Sequence, residues 1–291
     1  MAPSKSEKLI RLALPKGHIQ AEVFALLAAA GIKVENTSRD YRPKISLPGF
    51  EAKILRPQNI VEMLHHGSRD LGFAGADWVA EIQAEVVEVL DTGLDPVRLV
   101  AAASAELLQG GKLPDWELVV ASEYQRLATE RLRERGLRAT FLLSYGATEV
   151  FPPEDADCIV DNSATGSTLK ANNLEVVDEL MSSSTRLYAN PRALERPENR
   201  EAIDRFTLLL RSVLESRRRV MLEVNVSADR LEAVCEYLPC MREPTISTLH
   251  GNAGYAVKAA VPRDLLPQLI PEIKSRGGTD IVVTNLSQIV P

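Results

Sequence analysis

The feature that most constrains the fold is an alternation of short apolar runs with longer amphipathic stretches along the first part of the chain. Apolar runs bounded by turn residues predict buried strands, whereas apolar residues at helical spacing predict helices. The segments that alternate in this way are Leu9–Leu14, Ile19–Ala30, Lys53–Leu55, Asn59–His66 and Leu71–Ala74. The order strand, helix, strand, helix, strand predicts an α/β domain with a largely parallel sheet.

A second block of the same kind follows a loop rich in Gly and Pro, Gln109–Pro114. Further short apolar runs between and after the blocks are read as separate strands. The predicted strands are Val86–Leu90, Val97–Ala103, Leu118–Ala121, Thr140–Leu143, Asp157–Val160 and Arg186–Ala189, and the helices are Tyr124–Arg135 and Glu201–Ser216. Two βα blocks in series predict two lobes with a cleft between them, similar to periplasmic binding proteins. The pattern alone does not show which lobe the strand Arg186–Ala189 joins.

The last part of the chain, residues 217–291, has a different pattern. Its predicted strands and helices follow the order βαββαβ, which is typical of a ferredoxin-like domain. The segments are Val220–Val226, Ala228–Tyr237, Thr245–Leu249, Tyr255–Val261, Arg263–Lys274 and Asp280–Thr284. Such a domain either regulates an enzyme or joins copies of it, and the pattern alone leaves both open.

The composition of the chain limits the kinds of molecule that it can bind. The formal net charge is -6, so the average surface field repels nucleic acid, and a phosphate site must be built locally. Three cysteines without a CxxC pair indicate a reducing cytoplasm rather than disulfides or zinc. No stretch has the roughly 20 apolar residues needed to span a bilayer, and no export signal is visible. We therefore expect a cytoplasmic protein that binds neither nucleic acid nor membrane.

The most informative segment runs from Asp157 to Leu169, where an apolar strand leads into an acid and then into small and hydroxyl residues around a glycine. Small side chains let backbone N–H groups approach an anion, and a helix that follows adds partial positive charge. The predicted phosphate-binding residues are Ala164, Thr165, Gly166, Ser167 and Thr168. Asp161 accepts hydrogen bonds when it is ionised, so it suits the hydroxyls of a ribose beside that phosphate. The loops GxxxxGK[ST] and GxGxxG are absent.

These residues resemble the phosphoribosyl pyrophosphate (PRPP) loop of ATP phosphoribosyltransferases. The resemblance extends along the chain and includes both the catalytic part and the regulatory domain of the long form. Its other segments are Leu12–Gly17, Leu55–Pro57, Asp70–Asp77, Ser183–Asn190, Glu243–Ile246 and Val257–Pro262. Because Ser183–Asn190 resembles the segment that returns the chain to the first lobe, the resemblance implies a discontinuous lobe I of residues 1–100 and 184–216 and a lobe II of residues 101–183. Two departures are His18, which stands where the family usually has arginine, and Asn162–Ser163, which replaces an apolar pair.

The resemblance implies that adenine N1 of ATP attacks C1 of PRPP and displaces pyrophosphate, the first step of histidine biosynthesis. Mg²⁺ bound through substrate oxygens is the implied cofactor, and no protein ligand set for it is visible. Lys16 and Arg56 follow predicted strands, so we expect them to face the cleft and meet pyrophosphate or triphosphate. Asp77 and Glu149 are weaker candidates for nucleotide contacts. For each of these the alternative is an ordinary surface, capping or solvated residue.

For the C-terminal domain the resemblance implies a sensor of L-histidine, bound between copies of a homo-oligomer, a hexamer that is a dimer when active. Glu223, Thr245 and Ser247 are the candidate contacts. Two other readings of the whole chain remain at this point. One is a non-catalytic sensor with a solute-binding fold, and the other is a phosphoribosyltransferase that uses a free base instead of ATP.

Overall fold

A computed structural model describes residues 9–35 and 41–290. The chain divides into two compact units. Unit 1 comprises residues 1–28 and 32–205, and unit 2 comprises residues 29–31 and 206–291. Our boundaries for the two lobes and for the C-terminal domain remain predictions.

Unit 1 is built on a mixed eight-stranded sheet with strand order β4-β1-β5-β10-β6-β9-β7-β8. A separate short hairpin consists of β2 and β3. The strands of unit 1 are β1 (Ile10–Pro15), β2 (Val34–Glu35), β3 (Lys44–Ile45), β4 (Phe50–Leu55), β5 (Leu71–Gly75), β6 (Val87–Ser104), β7 (Leu118–Ser122), β8 (Ala139–Leu143), β9 (Cys158–Ser163) and β10 (Leu174–Ala189).

Helices follow the strands, as the alternation predicts. The N-terminal helix ends before Gly31, which has a φ of 80° and so adopts the left-handed conformation expected of a glycine cap. The helices that begin in unit 1 are α1 (Gln20–Ala29), α2 (Pro57–His65), α3 (Ala76–Ile82), α4 (Gln125–Glu134), α5 (Ser167–Ala171), α6 (Pro191–Leu194) and α7 (Pro197–Arg218).

The centre of the sheet differs from the prediction. β1 pairs in parallel with β4 and β5, and β7 pairs in parallel with β8 and β9. Between these parallel sets lie β6 and β10, which are antiparallel to each other and to their outer neighbours. Our division of β6 into two strands was wrong, and most of β10 was missed. Register shifts interrupt the pairing of β6 with β10, so neither strand keeps one uninterrupted alternation of apolar residues.

Apolar side chains pack the parallel sets against their helices. Ile60, Val61 and Leu64 of α2 are buried with Ala13 and Ala74 of the neighbouring strands. On the other parallel set, α4 packs onto strands β7 and β9 through fully buried side chains, including Tyr124, Ala128, Leu118 and Val120. This packing fixes the turns at the carboxyl ends of the strands, where the sequence places its polar residues.

Unit 2 contains a second sheet, of four antiparallel strands in the order β12-β13-β11-β14. Numbered within the unit, this is the order 2-3-1-4 of a ferredoxin-like domain, so that prediction is confirmed. Its elements are β11 (Arg219–Val226), α8 (Leu231–Cys235), β12 (Thr245–Thr248), β13 (Tyr255–Pro262), α9 (Leu266–Ser275) and β14 (Thr279–Asn285). Residues of β11 alternate strictly between buried and half-buried, so one face packs on the helices and the other is open.

Candidate functional site

The predicted phosphate loop lines a cavity of about 320 Å³ in unit 1. Every residue from Asp161 to Leu169 contributes to its wall. Residues from three other segments complete the lining, and these are His18, Asp95, Val97 and Glu149. A continuous run of chain therefore forms one side of the cavity, which is the arrangement expected of a loop that wraps a single group.

Gly166 gives the loop its shape. Its φ of 75° lies in the left-handed region, and it is the residue before α5. The hydroxyl groups of Thr165 and Ser167 lie 2.9 Å apart, and the backbone N–H of Ser167 points to the Thr165 hydroxyl at 3.4 Å. Because α5 has only five residues, the loop's own N–H groups and hydroxyls must supply most of the attraction for an anion, rather than a long helix dipole.

Asp161 lies within β9, which extends through Ser163 instead of ending at Val160 as predicted. Its carboxylate accepts a hydrogen bond of 2.7 Å from the backbone N–H of Asn162. Burial chiefly, with the nearby carboxylates of Glu149 and Glu123, raises the pKa of Asp161 to about 6, although the hydrogen bonds from Asn162 and Thr148 act in the opposite direction. A carboxylate that lies close to other acidic side chains can accept hydrogen bonds from hydroxyl groups or bind a cation.

Glu149 belongs to a short 3₁₀ turn, Thr148–Val150, and lines the same cavity as Asp161. The structure therefore brings together the predicted acid, the predicted phosphate loop and one of the two weaker candidates. Asp95 adds a third carboxylate and forms a 2.7 Å contact with the imidazole of His18. Asp95 was not predicted from the sequence, because it lies inside the long strand β6, where no motif marks it.

Lys16 and Arg56 follow strands β1 and β4 as predicted, but neither lines this cavity. The Lys16 ammonium donates a hydrogen bond of 2.8 Å to the Tyr41 hydroxyl and lies over the Tyr41 ring. The Lys16 contact lowers the pKa of Tyr41. Arg56 precedes α2 and is exposed. Its charge opposes the rise that burial causes in the pKa of Glu123.

Asp77, the other weak candidate, is buried in a hydrogen-bond network. Its carboxylate accepts hydrogen bonds from the hydroxyls of Tyr124 at 2.5 Å and Ser183 at 2.8 Å. The Tyr124 hydroxyl in turn accepts a 3.1 Å hydrogen bond from the side-chain amide of Asn162. Gly75 is required beside this network, since a side chain there would collide with the Asp77 carboxylate. The structure thus gives Asp77 protein partners in place of an open binding surface.

In unit 2 the three residues predicted for histidine binding lie on the open face of the sheet. Glu223 and Thr245 both stand opposite Lys258, on either side of it, and Ser247 stands opposite Ala256. The Glu223 carboxylate contacts the Lys258 ammonium at 2.6 Å. Thr245 and Lys258 also line a broad groove with Met221, Cys240, Arg242 and Glu243. Lys258 was missed as a candidate, although its place in the strand alternation could have shown it.

No helix among the described residues is long and apolar enough to cross a membrane. Within the same residues, no cluster of three or more His, Cys, Asp or Glu side chains has the geometry to hold a metal ion by itself.

An α/β core with a loop of this kind at a strand end is typical of proteins that bind a phosphorylated ligand. Comparison with known families makes this specific. The family model described as ATP phosphoribosyltransferase matches residues 56–212, and that of the HisG C-terminal domain matches residues 216–288. The chain belongs to the ATP phosphoribosyltransferase family, in its long form with the C-terminal domain.

Several relatives support this assignment over nearly the whole chain. An ATP phosphoribosyltransferase of Pelotomaculum thermopropionicum is 37% identical, with 97% of this chain and 99% of the relative covered. The enzyme of Chlorobaculum parvum is 34% identical, with 99% of each chain covered. A solved structure, the ATP phosphoribosyl transferase (HisG:HisZ) complex from Thermotoga maritima, is similar with a TM-score of 0.64 and 27% identity, covering 71% of this chain and 99% of that chain.

The activity follows from the family. The protein is a pentosyltransferase that joins ATP and PRPP in the first step of histidine biosynthesis. Enzymes of this class typically need a divalent metal. The readings as a solute sensor and as a transferase of free bases are therefore set aside.

Proposed function

We propose that the cavity beside β9 is the PRPP site of this enzyme, with Ala164–Thr168 around the 5-phosphate and Asp161 at the ribose hydroxyls. The observation that carries this assignment is the unbroken lining of one cavity by residues 161–169. A phosphate needs several donors at short range, and the loop offers hydroxyls together with small residues that expose backbone N–H groups. The half-buried Asp161 carboxylate stands at the start of that loop.

The reaction places positive charge on the ribose carbon and negative charge on the departing pyrophosphate. When it is ionised, the Asp161 carboxylate orients the ribose by accepting hydrogen bonds from its hydroxyl groups. The negative charge also stabilises positive charge that develops on the ribose. Lys16 and Arg56 are the proposed cations for pyrophosphate or triphosphate, since both follow the carboxyl ends of strands. Asp77 holds protein groups in place, and we propose that it affects the nucleotide only indirectly.

Mg²⁺ is the proposed metal. The cavity fits a hard cation, because the carboxylate-bearing residues Asp161 and Glu149 both line it, and a cation would relieve the repulsion between their charges. Mg²⁺ is commonly held by one or two carboxylates together with substrate phosphates. When bound, it supplies charge neutralisation of the pyrophosphate.

For unit 2 we propose that the row Glu223–Lys258–Thr245 binds the inhibitor L-histidine. The row offers a carboxylate and an ammonium 2.6 Å apart, which complement the ammonium and carboxylate groups of a free amino acid. Ser247 in the next row adds a hydroxyl. The open sheet face also suits contact between copies, and a homo-hexamer that is a dimer when active is the proposed assembly. The similar structure from Thermotoga maritima is a HisG:HisZ complex, and the mass of this protein in solution tests the proposed homo-hexamer.

The cytoplasm is the proposed location, supported by three cysteines that are all free thiols. Product formation from ATP, PRPP and Mg²⁺, followed by absorbance with and without histidine, tests the reaction and the inhibition together. We expect phosphoribosyl-ATP to form and histidine to suppress it. Product without suppression would remove the histidine role of unit 2 and leave the catalytic assignment intact.

A further inference from the structure

A chain of hydrogen bonds links the PRPP loop to two other strand ends of unit 1. Asp77 follows β5, Tyr124 follows β7, and Asn162 lies near the end of β9. The links are short, at 2.5 Å between the Tyr124 hydroxyl and Asp77 and 3.1 Å between the Asn162 amide and Tyr124. Three turns from different parts of the sequence therefore meet at one phenol oxygen.

Buried side chains hold this series of hydrogen bonds in place. Asp77 and Tyr124 are 4% and 1% exposed, and the Trp78 ring stacks on the Tyr124 ring at 4.6 Å between centroids. Burial, together with the Asp77 carboxylate, raises the pKa of Tyr124, so the phenol keeps its proton and remains a donor to Asp77. A lone pair of the Tyr124 hydroxyl accepts the hydrogen bond from the Asn162 amide. Burial of the cluster disfavours a water molecule in place of either partner.

Asn162 is the member that reaches the substrate cavity. Its side-chain amide is tied to Tyr124, while its backbone N–H donates to the Asp161 carboxylate at 2.7 Å. The residue also lines both the PRPP cavity and a smaller adjoining cavity beside Asp77 and Trp78. Fixing the Asn162 side chain thus fixes the peptide group that orients Asp161.

We propose that Asn162 and Tyr124 are positioning residues for PRPP: anchored on buried Asp77, Tyr124 holds Asn162, and Asn162 holds the Asp161 carboxylate toward the ribose. The proposal rests on the PRPP assignment above and adds residues outside the phosphate loop's small and hydroxyl positions. It explains why a polar Asn stands at a loop entrance where the family usually has an apolar residue.

The test is a double-mutant cycle read by PRPP binding and by steady-state kinetics. Asn162→Leu and Tyr124→Phe each remove the same hydrogen bond, so each should raise the PRPP dissociation constant about tenfold, with a much smaller change in the KM for ATP. The double variant should have a PRPP dissociation constant no higher than that of the single variant that binds PRPP less tightly, because both changes remove the same hydrogen bond. Asn162 is exposed, so Asn162→Leu folds even if Tyr124→Phe does not.

Ser183→Ala is the matched control, because it removes another donor to Asp77 but leaves the Tyr124–Asn162 bond. Combined with Asn162→Leu, its effect on PRPP binding should be additive. The split between KM values supplies a second measure. Asn162→Leu should raise the KM for PRPP and leave the KM for ATP nearly unchanged, whereas Ser183→Ala should leave both close to the wild-type values.

Wild-type PRPP affinity in Asn162→Leu, or additive effects of Tyr124→Phe and Asn162→Leu, would overturn the proposal. Asp161→Asn separates this failure from a failure of the site itself. If Asp161→Asn weakens PRPP use while Asn162→Leu does not, only the positioning role is wrong. If neither variant changes PRPP use, the PRPP assignment is wrong as well.

Discussion

The two units of this enzyme use their sheets in different ways. In unit 1 the polar residues gather where strands end, and the chain from Asp161 to Leu169 closes around a cavity. In unit 2 the candidate residues lie in the middle of strands, on the flat open face that includes Glu223 and Lys258. The first arrangement surrounds a ligand with one segment of backbone, whereas the second presents side chains in rows.

This difference bears on what each unit can do. A turn at a strand end supplies unpaired N–H groups, so it can hold phosphate without a net positive protein. Backbone groups in a sheet are already paired with one another, so an open face recognises ligands only through side chains. We therefore expect substitutions in unit 1 to have large effects on turnover and those in unit 2 to have smaller, graded effects on inhibition.

The largest effect is expected for Asp161→Asn in unit 1. Loss of the carboxylate should lower kcat/KM for PRPP by about 10²–10³-fold, the usual cost of removing one electrostatic contact to a transition state. Steady-state kinetics with varied PRPP measures the effect, and circular dichroism checks the fold. Wild-type kinetics in a folded Asp161→Asn protein would remove Asp161 from the ribose site.

The loop backbone can be tested at Gly166. Its left-handed φ makes any other residue strained by about 1–2 kcal/mol, so Gly166→Ala should distort the loop and weaken PRPP binding about tenfold. Gly136 is a matched control, since its φ is 71° and a new Cβ there meets nothing within 4 Å. Calorimetric titration should show weaker PRPP binding in Gly166→Ala alone. Equal effects in both variants would mean that general strain, and not the loop, is responsible.

Stability should move in the opposite direction from activity at Asp161. Its folded pKa near 6 lies above the ordinary 3.8, so the folded state binds the proton more readily than the unfolded state, and ionisation opposes folding as pH rises through about 6. Asp161→Asn stays neutral. It should therefore raise the free energy of unfolding by about 1–2 kcal/mol near pH 8, after allowance for partial exposure.

Urea unfolding at two pH values measures that difference. Below about pH 3 the wild-type carboxyl is protonated in both states, so the advantage of Asp161→Asn should disappear there. A variant less stable than wild type near pH 8 would show that the carboxylate is favourably solvated or paired, in conflict with the burial that raises its pKa.

The smallest expected effect is on the open face of unit 2. Glu223→Gln should raise the histidine concentration for half-inhibition about threefold, because an exposed ion pair contributes roughly 0–1 kcal/mol. Glu272→Gln makes the same change in an exposed ion pair with Arg276 on helix α9, and it should leave inhibition unchanged. A shift in Glu272→Gln as large as that in Glu223→Gln would mean that charge alone, not the row on the sheet, matters.

Much of this arrangement could be predicted from the sequence, and strand ends were the easiest part. Gly166 and its hydroxyl neighbours form a local signal, because the loop is built from consecutive residues. The ferredoxin-like order of unit 2 also followed from local patterns, since each of its strands is short and bounded by turns. The face position of Glu223 agrees with the alternation of buried and half-buried residues along β11.

What could not be predicted depends on residues distant in sequence. Asp95 comes to the cavity from within β6, and Tyr124 meets Asp77 only because β7 and β5 belong to one folded sheet. The contact between Tyr124 and Asp77 spans 47 residues, and no spacing rule marks it. The long strands β6 and β10 were misjudged for a similar reason, since their register shifts depend on pairing with each other.

The most direct test of the central claim is a crystal structure of the enzyme with PRPP and Mg²⁺ bound. We expect the 5-phosphate within hydrogen-bond distance of the N–H groups and hydroxyls of Thr165–Thr168, with the ribose hydroxyls against Asp161. A 5-phosphate bound elsewhere, with residues 161–169 free of ligand, would contradict it.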